Sequence, residues 1–190
     1  MSPDPLGRLW AGWRGAYVSG TLDADRSGTT GDYEPAEAVN PTVLGPGQDD
    51  RCVLCRVIAP GNDDATANVL WRGHVCTAIL NAYPYTSGHL MVLPNRHVGE
   101  LSELTAAESA ELWAGVQGAA EALGRAYRPG GINIGANIGR AAGAGVPGHL
   151  HIHALPRWDG DTNFMTTVAE TRVLPEALPD TWTKLRAAWP

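Results

Sequence analysis

Apolar and polar residues alternate along several short segments of the chain, and this period of two predicts β-strands. Residues 68–71 and 75–80 are two such segments, joined by a hairpin at residues 72–74. Residues 88–94 are predicted to form a third strand, after a turn-rich loop. Residues 132–138 and 150–155 are predicted to form the fourth and fifth strands. The pattern indicates a sheet of short strands.

A period of 3.6 residues lies between the third and fourth strands and predicts one long helix. Thr105 and Glu108 form a capping box at its start, and the helix should end before Pro129. Its apolar stripe consists of Leu112, Val116, Ala119, Leu123 and Ala126. A second helix is predicted near the end of the chain, from Leu178 to Trp189. Strands on both sides of one long helix indicate an α+β fold with an antiparallel meander.

The first 51 residues are predicted to form an N-terminal arm, and residues 52–190 a single domain with a C-terminal extension. Within the arm, Leu9–Val18 is the strongly apolar part, and Trp10 and Trp13 should pack on the domain or on a partner subunit. Residues 19–50 are rich in Gly, Asp, Thr and Pro, which is typical of irregular or mobile chain.

Charge and cysteine usage exclude several classes of protein. A net charge of −6 argues against broad binding of nucleic acid or lipid surfaces, although Arg96, Arg140 and Arg157 could still contact a phosphate locally. No apolar run is long enough to span a bilayer, and no signal peptide is visible. Three cysteines do not make a disulfide framework. We therefore expect a cytoplasmic protein with reduced thiols.

Three histidines alternate with apolar residues near the end of the predicted sheet. On a strand, His149, His151 and His153 would share one face. Neutral imidazole attacks phosphorus and also binds metals, so this row suggests phosphoryl or nucleotidyl transfer, or a metal site. An incidental polar face or a metal-binding tract would give the same alternation.

A loop of small residues precedes the histidines and favours the catalytic interpretation. Residues 137–148 include four glycines and four alanines or valines, so backbone N–H groups could approach an anion closely. A loop that binds phosphate and leads directly to a histidine-lined strand forms a coherent site.

These residues resemble the histidine triad (HIT) superfamily. The resemblance covers about residues 52–160 and rests on the triad segment 149–157, the upstream Asn137 and Gly143, and the earlier segments 78–81 and 87–92. It implies a nucleotide-binding α+β fold, usually a homodimer that shares one sheet. The loop 141–143 and the segment 155–164 are most similar to the actinobacterial diadenosine tetraphosphate (Ap4A) phosphorylases.

The resemblance implies roles for individual residues. His151 would be the nucleophile, and His149 and His153 would bind phosphate oxygens, or serve only as neutral hydrogen-bonding groups. The implied nucleotide- and phosphate-binding residues are Asn81 (ribose), Ile79 and Met91 (base), and His89, Asn137, Gly143, Ala144, Gly145 and Trp158. Structural alternatives exist for several of these: Ile79 and Met91 could be core residues, Asn137 a turn residue and His89 a buried structural histidine.

A second group of residues suggests structural zinc. Several HIT relatives bind zinc through two cysteines, a histidine after the third strand and the first triad histidine, which here implies Cys52, Cys55, His97 and His149. In that arrangement His149 would orient the triad strand instead of touching the substrate. A Cys-x-x-Cys pair can also be a buried apolar pair. The chemistry itself requires no cofactor.

The implied function is phosphorolysis of Ap4A to ADP and ATP through a nucleotidyl-histidine, with Ap4A and inorganic phosphate as ligands, in a homodimer or tetramer. HIT hydrolases usually carry Gln and Ser or Thr where this chain has Gly145 and Val146, so the acceptor stays open between phosphate and water. A hydrolase of dinucleoside polyphosphates or nucleoside phosphoramidates is the first alternative. A non-catalytic nucleotide-binding or sensing module is the second.

Overall fold

The structure, a computed structural model, describes residues 43–161 and 176–190. Of these, residues 43–159 and 176–190 belong to one compact unit. Its helices are α1 (Val53–Ile58), α2 (Ala106–Tyr127) and α3 (Leu178–Ala188), with short 3-10 turns at Leu101–Glu103 and Arg140–Ala142. Its strands are β1 (Val69–Arg72), β2 (Cys76–Leu80), β3 (Leu90–Pro94), β4 (Gly131–Gly135) and β5 (Ile152–Arg157).

The five strands form one antiparallel sheet in the order β1-β2-β3-β5-β4. This confirms the predicted α+β fold with one long helix and a C-terminal helix. The expected simple meander is wrong, because β5 lies between β3 and β4 and pairs with both. The capping box at Thr105 and Glu108 begins α2, and Arg128 ends it in the left-handed conformation just before Pro129. Within the described part of the chain, no helix is long and apolar enough to cross a membrane.

The sheet has two different faces because alternate residues of each strand point to opposite sides. One face packs on α2 and α3 and contains Cys76, Ala78, Leu80, Leu90, Val92, Ile152 and Ala154. The other face packs on α1 and contains Val69, Ile79, Met91 and Leu93. His153 lies on this second face, directly opposite Met91 in the pairing of β3 with β5.

The strand ends differ by a few residues from the sequence prediction, and one short helix was not predicted. Strand β4 ends at Gly135 and not at residue 138, and β5 begins at Ile152 and not at residue 150. The pairing of β3 with β5 stops at Ile152 because the N–H of Leu150 donates to the carbonyl of Val98, outside the ladder. Helix α1 was not predicted, since six residues are too few to give a helical period.

Helix α3 covers the outer edge of β1. The Trp182 indole donates to the carbonyl of Val69 at 2.8 Å, and the Arg186 guanidinium donates to the carbonyl of Leu70. Unpaired carbonyls of an edge strand attract other chains, so this contact protects that edge of the sheet.

Of the predicted N-terminal arm, the structure describes only residues 43–51. Gln48 donates to the carbonyl of Asn95 at 3.2 Å, and the carbonyl of Gly47 accepts from the N–H of His97 at 2.9 Å. The apolar segment with Trp10 and Trp13 lies outside the described residues, and the packing expected for it stays a prediction.

Candidate active site

The three triad histidines lie at the start of β5, on the face of the sheet opposite α2. His153 belongs to β5, whereas His149 and His151 lie in the segment immediately before it. Their neighbours Leu150 and Ile152 pack into the α2-side core, so the alternation predicted from the sequence holds through the whole segment. His149 and His151 are buried, and His153 is half-buried.

His151 has the arrangement of a neutral nucleophile. Its Nδ1 lies 2.7 Å from the carbonyl oxygen of His149. A carbonyl only accepts, so Nδ1 carries the proton and Nε2 keeps its lone pair. Burial lowers the pKa of His151, which favours the neutral imidazole near pH 7. The unprotonated Nε2 can therefore attack an electrophilic phosphorus.

His153 is arranged as a hydrogen-bond donor by His89. The N–H of Tyr85 donates to His89 Nδ1 at 3.1 Å, so the proton of neutral His89 lies on Nε2. That Nε2 is 2.9 Å from His153 Nδ1 and donates to it. Burial and the neighbouring His151 lower the pKa of His153 to about 4. Neutral His153 thus carries its proton on Nε2, where it can donate to a phosphate oxygen.

Apolar core residues lie next to the triad on the same face of the sheet. Ile79 and Met91 are paired across β2 and β3, and both are buried. Asn81 follows β2; its Oδ1 accepts from the N–H of Tyr83 at 2.9 Å, and its Nδ2 points to the Met91 sulfur at 3.7 Å. Two buried apolar side chains and one amide group therefore lie beside the triad.

The glycine loop leads directly to the triad. Gly139 and Gly143 flank the 3-10 turn with φ of 76° and 86°, a region that favours glycine. Ala144 is buried, and Asn137 and Gly145 are half-buried. The N–H groups of Gly145 and Val146 have no hydrogen-bond acceptor among the described residues. Unpaired N–H groups beside the histidines can bind an anion.

Several residues expected near the phosphate have other partners. Arg96 forms an ion pair with Glu108 at 2.8 Å, so its guanidinium already has a carboxylate partner. Arg157 donates to the Asn133 side chain at 2.7 Å. The Trp158 ring lies edge-on against Tyr127 of α2, with 6.1 Å between centroids, away from the triad face.

Four residues predicted to bind metal come together beside the triad. The ligand atoms of Cys52, Cys55, His97 and His149 all lie within 4.8 Å of one another. His149 Nδ1 is 3.5 Å from Cys52 Sγ and 3.4 Å from Cys55 Sγ, and His97 Nδ1 is 3.5 Å from Cys55 Sγ. Ligands of a tetrahedral Zn²⁺ are separated by about 3.3–3.8 Å, so this donor set fits that ion.

The protonation of the cluster also suits a cation. A hydrogen bond from the Cys55 thiol lowers the pKa of Cys52 to about 3, and the same contact raises the pKa of Cys55. His149 Nε2 lies 2.9 Å from the carbonyl of Pro94 and donates to it, which leaves the Nδ1 lone pair facing the sulfurs. The cluster can therefore hold a metal ion.

Comparisons with known proteins agree with this geometry. The family model described as "HIT domain" matches residues 62–160. The AP-4-A phosphorylase of Mycobacterium tuberculosis is 36% identical over 187 residues, which cover 98% of this chain and 86% of that protein. The chain belongs to the HIT domain family.

Other HIT proteins match a smaller part of the chain. The asymmetrical bis(5'-nucleosyl)-tetraphosphatase of Schizosaccharomyces pombe is 33% identical over 95 residues, 50% of this chain and 52% of that protein. A zinc-bound histidine triad family protein from Mycobacterium smegmatis is 28% identical, with a TM-score of 0.58, covering 72% of this chain and 91% of that chain.

Two features of this HIT site were not found by sequence reasoning. The buried His89 lies with its Nε2 2.9 Å from His153 Nδ1, a contact that the sequence did not predict. The hydrogen bond from His149 to the carbonyl of Pro94 could not be predicted, because every residue has a backbone carbonyl and the residue type does not show which one accepts. The strand period of residues 88–94 places His89 and Met91 on the triad face, so the contact of His89 was accessible once the strand order was known.

Proposed function

We propose that this HIT protein is an enzyme that cleaves Ap4A with inorganic phosphate, giving ADP and ATP. The observation that carries the proposal is the 2.7 Å bond from His151 Nδ1 to the His149 carbonyl, which leaves Nε2 as a nucleophile. The 36% identity to an AP-4-A phosphorylase over nearly the whole chain supports the choice of substrate and acceptor.

The reaction takes place in two displacements. His151 Nε2 forms a bond to the α-phosphorus of one adenosine, the bridging P–O bond breaks, and ATP leaves with the bonding electrons. An oxygen of inorganic phosphate then attacks the same phosphorus, the P–N bond breaks, and ADP is released while the imidazole returns to its neutral form. ATP is a weakly basic leaving group, so the first step does not depend on a strong acid.

The surrounding side chains would orient and stabilise the reacting groups. His153 Nε2–H would donate to a non-bridging phosphate oxygen, where negative charge develops. Ile79 and Met91 would contact the base, and the Nδ2 of Asn81 would donate to a ribose hydroxyl. The N–H groups of Gly145 and Val146, together with Asn137 and the segment 143–144, would hold the phosphates. His89 would act indirectly, by orienting His153.

We also propose that Cys52, Cys55, His97 and His149 hold a structural zinc ion. When bound, the ion would neutralise the thiolates and stabilise the folded state. The ring of His149 would then serve the metal site, and its carbonyl would serve His151. No cofactor is proposed for the chemistry itself.

The quaternary state and compartment are further parts of the proposal. Strand β4 is an open edge whose residues are mostly exposed, including Ile134, which supports a homodimer formed through this edge, alone or within a tetramer. The three cysteines form no disulfide in the described structure, which favours a reducing compartment such as the cytoplasm.

Product analysis with Ap4A tests the proposal. Turnover should rise with phosphate concentration and saturate, and the products should be ADP and ATP. Equal rates of AMP and ATP formation without phosphate would instead identify a hydrolase, the activity that the name of the S. pombe relative indicates for that protein. Tight nucleotide binding with no turnover under either condition would identify a binding module.

A further inference from the structure

The loop that follows β3 contacts the triad segment at two points. We call residues 94–98 the β3 exit loop. The carbonyl of Pro94 accepts from the ring of His149 at 2.9 Å, and the carbonyl of Val98 accepts from the N–H of Leu150 at 2.6 Å. These two bonds fix both residues that precede His151. The His149 carbonyl, which orients the nucleophile, lies between them.

Arg96, at the centre of this loop, connects it to the start of helix α2. Its Nε and Nη2 donate to the two carboxylate oxygens of Glu108 at 2.9 and 2.8 Å, and Nη2 also donates to the carbonyl of Glu103 at 2.8 Å. The Glu108 side chain is 7% exposed and also accepts from Thr105. Hydrogen bonding to Arg96 is the main reason why the pKa of Glu108 falls to about 2.

This ion pair is well suited to hold the loop in one position. A bidentate bond between a guanidinium and a carboxylate fixes both distance and orientation. Glu108 itself is held by the capping box of α2, a long and well-packed helix. By contrast, the ion pair between Glu121 and Arg125 on the same helix is half-exposed and connects only one turn to the next.

We propose that Arg96 and Glu108 are positioning residues for nucleotidyl transfer: they anchor the β3 exit loop, which in turn fixes the His149 carbonyl and the orientation of His151. The catalytic part of this inference rests on the proposed function. Neither residue needs to touch the substrate. A nucleophile displaced by about 1 Å can lose about 100-fold in rate, so a loosened anchor should act on kcat.

The test compares four variants with the wild-type holoenzyme. Arg96→Met removes the guanidinium, and Arg96→Lys keeps the charge with a single donor position. Arg96→Met/Glu108→Gln removes both charges while glutamine keeps the capping box, so no unpaired charge stays buried. Glu121→Gln is the matched control, since it breaks an ion pair on the same helix that does not reach the loop.

Four quantities are measured for each variant at a temperature well below its melting point. These are kcat and KM for Ap4A at saturating phosphate, the Kd for AMP, and zinc affinity by chelator competition. Arg96→Met and the double variant should lose about 10-fold in kcat, with KM and the Kd for AMP changed less than about twofold. Zinc affinity should fall by about 10-fold, because His97 belongs to the loop. Arg96→Lys should recover part of both losses, and Glu121→Gln should match wild type.

A folded double variant with wild-type kcat and zinc affinity would overturn the inference, and so would an equal loss in Glu121→Gln. If the variants are less stable but their kcat per folded molecule is unchanged, the ion pair only stabilises the fold, and the inference is again overturned. If wild-type protein does not cleave Ap4A, the proposed function fails, but the zinc measurement still decides whether Arg96 anchors the loop.

Discussion

Replacing His89 with phenylalanine should slow the reaction with little effect on nucleotide binding. His89 Nε2 lies 2.9 Å from His153 Nδ1, and its own Nδ1 is occupied by the N–H of Tyr85. Phenylalanine keeps much of the ring volume but removes the donor. His153 can then carry its proton on Nδ1, which places a lone pair and not an N–H against the phosphate oxygen.

The size of the effect follows from the bond that is lost. A hydrogen bond to a charged group contributes about 1.5–3 kcal/mol, and the charge on the phosphate oxygens develops in the transition state. Each 1.4 kcal/mol changes the rate tenfold, so we expect kcat to fall by about 10- to 100-fold. The substitution leaves Ile79 and Met91, the proposed contacts of the base, unchanged, so the Kd for AMP should stay within about twofold.

Steady-state kinetics with Ap4A and phosphate, together with AMP binding by calorimetry, measure these quantities. His89→Gln keeps an N–H donor on a shorter side chain and should recover part of the rate. His74→Phe, at an exposed histidine in the β1–β2 hairpin, is the matched control and should behave as wild type. If His89→Phe turns over within twofold of wild type, the proton position on His153 is not set by His89 and the reasoning is refuted.

Four other outcomes follow from the site. His151→Ala should abolish turnover and keep AMP binding in calorimetry, because only the nucleophile is removed; turnover within tenfold of wild type would contradict its role. Chelation should lower the melting temperature of wild type but not of Cys55→Ser, since binding of the metal is coupled to folding; equal melting curves would exclude structural zinc. Gly145→Gln should raise the KM for phosphate more than the KM for Ap4A, as measured by initial rates. Urea denaturation should show that the free energy of unfolding falls by at most ~3 kcal/mol from pH 6.5 to about 4, because His153 binds a proton in the unfolded state over this range and stays neutral when folded. His153→Gln should flatten this decline.

The features that could be predicted from the sequence are those encoded by local spacing. The alternation of His149, His151 and His153 with apolar residues gives their shared face directly. Thr105 and Glu108 mark the start of α2 because a capping box involves only four consecutive residues. The two cysteines suggest a metal site because their spacing is that of a chelating pair, and family resemblance supplied the two histidines.

The features that were missed depend on contacts between distant segments. Strand β5 begins late because Leu150 bonds to Val98, which is 52 positions earlier in the numbering of the chain. Arg96 was a candidate for phosphate binding because composition shows a positive charge but not its partner, and the partner, Glu108, lies on α2. His89 and His153 are 64 residues apart, so only the sheet pairing brings them together.

The three roles proposed for the triad histidines follow from the different hydrogen-bond partner of each ring. Each imidazole has one nitrogen held by the protein, and that partner decides what the other nitrogen does. His149 Nε2 donates to the carbonyl of Pro94, so Nδ1 faces the cysteine sulfurs. His151 Nδ1 donates to the carbonyl of His149, so Nε2 is unprotonated.

For His153 the partner is a hydrogen-bond donor and not an acceptor, so the proton and the lone pair exchange places on the ring. His89 donates to Nδ1, so Nε2 carries the proton. When one ring nitrogen donates to a carbonyl, the other nitrogen keeps a lone pair, which suits a nucleophile or a metal ligand. When one ring nitrogen accepts from an N–H, the other nitrogen carries the proton and can donate. In the proposed mechanism, exchanging a donor for an acceptor beside one ring should therefore convert one role into the other, so the backbone carbonyls and His89 matter to the site as well as the triad.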